Sequence, residues 1–109
     1  MANVFENRAV LLKIYVEENA VKDGQKAAEW IACRACESGL AGASVYRGIG
    51  GFYANEPITS PEFFNFHLSR PLLIEIIDQP DRIERFAEFL KNEVPDLLMC
   101  RTPVEVCVC

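Results

Sequence analysis

The sequence predicts a single α+β domain whose elements run in the order βαββαβ. Three observations carry that prediction. Runs with period-two alternation or continuous apolar character fall near residues 11–16, 43–47, 72–77 and 97–108. Apolar residues at helical spacing fall between the first and second runs, and again between the third and fourth. Right-handed crossovers in that order place both helices on one face of a four-stranded antiparallel sheet, the ferredoxin-like split βαβ arrangement.

Each element has its own signature. In the first strand Leu12, Ile14 and Val16 share one face and Leu11, Lys13 and Tyr15 the other, and Glu17, Glu18 and Asn19 end it. The first helix is expected over about residues 23–38, from Ala27, Ala28, Ile31, Ala32 and Ala35, with Asp23 capping its start and Gly39 past its end. Its alanine-rich face suits close packing. Residues 43–47 form the second strand and run into Gly48-Ile49-Gly50-Gly51-Phe52, where glycines weaken pairing. Residues 53–69 hold Pro57 and Pro61 and show no period; a connection of that length in a compact domain is expected to be functional, mobile or both.

Residues 72–77 read as a third strand, apolar enough to be central. Pro80 suits the first turn of a second helix, Ile83, Phe86, Ala87, Leu90 and Val94 make its stripe, and Pro95 stops it. The fourth strand is expected over about 97–108, with Val104, Val106 and Val108 on one face. Nothing in the chain covers the sheet face away from the helices. Because the third strand is apolar on both faces, a homo-oligomer is the economical cover.

Composition narrows the class. The chain has 109 residues, 50% of them hydrophobic, enough for one core and too few for two domains. No apolar run reaches the length of a membrane span, and the first ten residues lack a basic start followed by an apolar stretch, so a cytoplasmic protein is expected. The net charge of −5 argues against nucleic acid as a partner, since phosphate demands a basic face. Five cysteines without a secretory signal suggest a reducing compartment and thiols rather than disulfides.

Four stretches, in order and spacing, resemble the PII-like signalling superfamily: residues 11–16, Gly39-Leu40-Ala41-Gly42-Ala43, Tyr46-Arg47-Gly48-Ile49-Gly50-Gly51-Phe52, and residues 73–78. The resemblance covers about residues 10–106 and is strongest to an uncharacterised branch with a GLAGA and an RGI-x-GF segment. It implies a ferredoxin-like homotrimer that binds a small effector in clefts between subunits. It also implies a loop after the second strand, the T-loop, that grips a target protein such as a membrane transporter or an enzyme. On this chain the T-loop corresponds to residues 52–69. The effector cleft corresponds to Arg47, Gly48, Ile49, Gly50, Gly51 and Phe52, with Glu75, residues 92–97 and Arg101. PII proteins proper bind adenine nucleotides through a glycine-rich segment before the last strand. Here that place reads Asn92-Glu93-Val94-Pro95-Asp96, with two acids and no glycine. Carboxylates repel a triphosphate, so AMP or ADP is the expected effector, and no obligatory cofactor is implied.

The residues also have readings of their own. Backbone N–H groups beside the glycines at 48, 50 and 51 can hold an anion with help from Arg47, or they can mark a sharply bent strand end. Phe63, Phe64 and Phe66, with His67 beside them, either pack on the domain and its oligomer surface or anchor a partner. His67 is the only histidine; it makes no metal site by itself and has no evident nucleophile to activate. Arg101 can meet a phosphate or pair with Glu105. Cys33 and Cys36 lie mid-helix, three apart, where a disulfide is too long to close and away from the helix start at which redox C-x-x-C motifs work.

The tail ends Val106-Cys107-Val108-Cys109. Some PII-like proteins carry C-terminal cysteine pairs that respond to redox state, and the tail resembles these in content. Two cysteines two apart in a strand have Cα atoms roughly 6.6 Å apart, near the upper limit for a disulfide, so Cys107–Cys109 would be a strained, easily reduced bond. The function that the PII-like resemblance implies is a nucleotide-binding regulatory sensor. A thiol- or metal-responsive trimer is the alternative, as is an enzyme using the interchain cleft, although no acid–base pair, nucleophile with its base or metal cluster is evident.

Overall fold

The computed structural model describes residues 8–49 and 70–107. The elements are β1 (Ala9–Glu17), β2 (Val21–Lys22), β3 (Gln25–Lys26), α1 (Ala27–Glu37), β4 (Ala43–Arg47), β5 (Pro71–Asp78), α2 (Pro80–Glu93) and β6 (Leu98–Val104). The main sheet has the order β4-β5-β1-β6, all antiparallel, and both helices pack on one face of it. This is the ferredoxin-like fold.

The alternation in β1 and β5 decides which face is which. Leu12, Ile14 and Val16 pair in register with Ile76, Ile74 and Leu72, and all six are buried. Ala27, Ala28, Trp30, Ile31 and Ala35 close the core from α1, and Ile83, Phe86 and Leu90 from α2. The opposite face carries Tyr46, Leu73, Tyr15 and Leu98 in one cross-strand row and Ser44, Glu75, Lys13 and Cys100 in the next. Neither α1 nor α2 covers it, and Tyr46 and Leu98 are more than half exposed.

Two boundaries differ from those read in the sequence. Asp23 does not cap α1. It forms with Gly24 the turn of a short hairpin, β2–β3, with φ of 50° and 82° at the two positions. Asp-Gly with both φ positive is the chemistry of a tight hairpin turn, and it overrides the capping preference of aspartate. The helix therefore starts at Ala27, and Lys26 stands at its N-cap with no side-chain cap. The far end is as expected: Gly39 adopts φ 75° past α1, and a Cβ there would come within 3.3 Å of the Arg82 side chain.

The last strand is shorter than expected, ending at Val104 instead of 108. Its final partner is Ala9, the first residue of β1, so the paired register ends there. Pro103 sits in this strand without an N–H, which an edge position tolerates.

Candidate functional site

The largest cleft described, about 690 Å³, opens where β4 ends and α1 begins. Its floor is apolar: Ala28 and Ala32 from the first half of α1, Val45 from β4 and Leu72 from β5. Small alanines on the helix leave the space that larger residues would fill. Its rim is charged, with Glu18, Lys26, Glu29 and Arg47. The start of α1, uncapped by a side chain, faces the same space and adds the positive end of the helix dipole.

Arg47 is the last residue of β4, and its side chain is 60% exposed. Its Nε lies 2.6 Å from Oε2 of Glu18, whose side chain is only 25% exposed. Glu18 follows β1, so this carboxylate reaches past β5 to the end of β4. The contact does not make a well-directed hydrogen bond, and among the described residues no other donor reaches the buried Glu18 Oε2. The main chain ties the same region together: Glu18 N–H donates to Arg70 O at 2.9 Å, and Gly48 N–H to Pro71 O at 2.8 Å. Lys26 Nζ donates to Asn19 Oδ1 at 3.1 Å.

The predicted site residues separate within one chain. Arg47, Gly48 and Ile49 stand at the end of β4 beside this cleft. Glu75 points to the uncovered sheet face, in a second hollow of about 360 Å³ with Ser44, Tyr46 and residues 41–43 of the GLAGA segment. Arg101 lies on β6, at the opposite edge of the sheet, opposite Leu12. Glu93, in the segment before β6, pairs with Lys22 at 3.7 Å. One cleft could gather these groups only with residues of more than one subunit. Gly50, Gly51, Phe52, Phe63, Phe64, Phe66, His67 and Cys109 lie outside the described residues. Cys33, Cys36, Cys100 and Cys107 are all exposed. Among the described residues, no three His, Cys, Asp or Glu side chains gather as a metal site, and no helix is long and apolar enough to cross a membrane.

Sequence reasoning missed Glu18, Lys26 and Glu29. Glu18 was legible in principle: it continues the even-numbered buried face of β1, and a carboxylate on that face needs a partner.

The model of an uncharacterised family, DUF190 (Uncharacterized ACR, COG1993), matches residues 9–106. The chain belongs to this family. DUF190 is a branch of the PII-like superfamily. A UPF0166 protein of Aquifex aeolicus is 35% identical over 83 residues, covering 76% of this chain and 79% of the relative. A UPF0166 protein of Methanocaldococcus jannaschii is 31% identical over 89 residues, covering 78% and 82%. The DUF190 match spans both the GLAGA segment beside Glu75 and the β4 end that carries Arg47.

Proposed function

We propose that this DUF190 chain is a PII-like regulatory sensor. It assembles as a homotrimer, binds AMP or ADP in clefts between subunits, and signals to a partner protein through residues 52–69. The observation that carries the reading is Arg47, an exposed guanidinium at the mouth of an apolar-floored cleft at the positive end of α1. An adenine ring suits the apolar floor, and a phosphate suits Arg47 and Lys26. Glu18 and Glu29 add negative charge on the cleft rim, which favours one or two phosphates over three. The uncovered sheet face supports assembly, because a row of Tyr46, Leu73, Tyr15 and Leu98 is costly to leave in water.

Calorimetry with AMP, ADP and ATP tests the reading. Saturable binding is expected, with AMP or ADP no weaker than ATP, and Arg47→Gln is expected to weaken it about tenfold or more. Absence of heat with all three nucleotides, or clear preference for ATP, overturns it.

Exposed thiols at Cys33, Cys36, Cys100 and Cys107 favour a second reading, a thiol-responsive module in which Cys107 and Cys109 act as a redox pair. Replacing both tail cysteines with serine should then abolish a difference in nucleotide affinity between oxidising and reducing buffers. No difference in the wild-type protein removes this reading.

A further inference from the structure

The cation best placed to receive an anion is already occupied. Arg47 Nε is 2.6 Å from the Glu18 carboxylate, and Glu18 is held at its root by the hydrogen bond from its own N–H to Arg70 O. The occupation is loose in kind. It is a single contact, not a bidentate pair; its angle is too bent for a good hydrogen bond, and the arginine is 60% exposed. Such a pair neutralises the cation and gives way to a ligand that offers better geometry.

We propose that Glu18 is a built-in competitor of the anionic ligand: it holds the Arg47 guanidinium while the cleft is empty and must be displaced when an anion binds. This rests on the reading that Arg47 receives the effector's phosphate, and it adds what sets the affinity. Displacement has a chemical corollary. Once Arg47 turns to the ligand, Glu18 stands in a largely buried place without its ion-pair partner, and it favours ligands that bring a donor as well as an anion. A nucleoside phosphate, with ribose hydroxyls, meets both needs; inorganic pyrophosphate at neutral pH meets mainly the first.

The test titrates AMP and pyrophosphate by calorimetry into the wild-type protein and into Glu18→Gln, Glu29→Gln, Arg47→Gln and the Arg47→Gln/Glu18→Gln double variant. Glu18→Gln is nearly isosteric and keeps the backbone bond to Arg70. Glu29→Gln removes the same charge from the same cleft, and among the described residues the carboxylate within ion-pair distance of Arg47 is that of Glu18. Glu18→Gln is expected to tighten pyrophosphate roughly three- to tenfold, and AMP by less. Glu29→Gln should change either ligand by about twofold or less, and the gain from Glu18→Gln should vanish when Arg47 is gone. Wild-type binding that Glu18→Gln does not tighten overturns the competitor and leaves the sensor reading standing. Equal gains from Glu18→Gln and Glu29→Gln, or a gain that survives without Arg47, also overturn it, since either shows only the removal of a nearby charge. Binding of AMP by Glu18→Gln but not by the wild-type protein supports the competitor and overturns the sensor reading. No binding by any variant overturns both.

Discussion

Asp78 is the one fully buried charged residue among those described. It ends β5 on the same parity as Leu72, Ile74 and Ile76, so its carboxylate enters the helix side of the sheet where an aliphatic side chain would be expected. There Oδ2 accepts the Ala41 N–H at 2.9 Å and Oδ1 the Gln79 N–H at 2.6 Å. Arg82, one turn into α2, lies 3.5 Å from both oxygens and also donates to the carbonyls of Ser38 and Gly39. One carboxylate thus fixes the GLAGA turn against the start of α2. Asp78→Ala leaves the Ala41 and Gln79 N–H groups without their acceptor and removes the carboxylate that faces Arg82. It should cost about 3 kcal/mol or more in urea unfolding, and Asp78→Asn somewhat less. The sequence held this signal in the position of an acid on a buried parity. It did not hold the partners, because the spacing from residue 41 to residue 78 closes only in the folded chain.

At the scale of elements, the start of α1 is built against its own stability. Lysine is a poor N-cap, and Lys26 supplies no side-chain acceptor there; instead its ammonium reaches Asn19 at the rim of the cleft. Lys26→Ser should raise stability by about 1 kcal/mol, seen as a higher melting temperature, and should weaken AMP binding by a few-fold. A rise in stability with unchanged affinity would show that Lys26 has no part in the site. The missed start of this helix has a local cause. Asp23 is both a good cap and, before glycine, a good hairpin turn, and only the pairing of Val21 with Lys26 decides between them. By contrast β1, β5 and α2 were legible almost to the residue, because their apolar periods are long and their punctuation, Pro80 and Pro95, is strong.

For the whole molecule the uncovered sheet face dominates. Its rows place Leu73 between Tyr15 and Tyr46, at the centre of the exposed apolar band. Leu73→Lys puts a charge in that band while leaving the helix-side core untouched. Light scattering should move from a trimer, near three times 12.3 kDa, to a monomer, with unchanged circular dichroism. A variant that stays trimeric would place the subunit contact elsewhere. The fold was legible because alternation fixes which face meets the helices. The proposed effector site was not: Arg47, Glu75 and Arg101 fall at three separate places on one chain, and a sequence carries no direct record of what a neighbouring copy would add.

The chain also carries its own optical probe. Trp30, the single tryptophan, is 4% exposed and stacks on Phe89 with ring centroids 6.0 Å apart. Lys22 and Arg34 lie 5.3 and 5.4 Å from its ring centre. The indole belongs to the interhelical packing, whereas Ala28 and Ala32 of the same helix line the cleft. Its fluorescence should be blue-shifted in the folded protein, shift to the red in one step as the two helices come off the sheet, and stay nearly constant while a nucleotide is titrated. One emission band therefore reports unfolding separately from ligand occupancy, with no label attached.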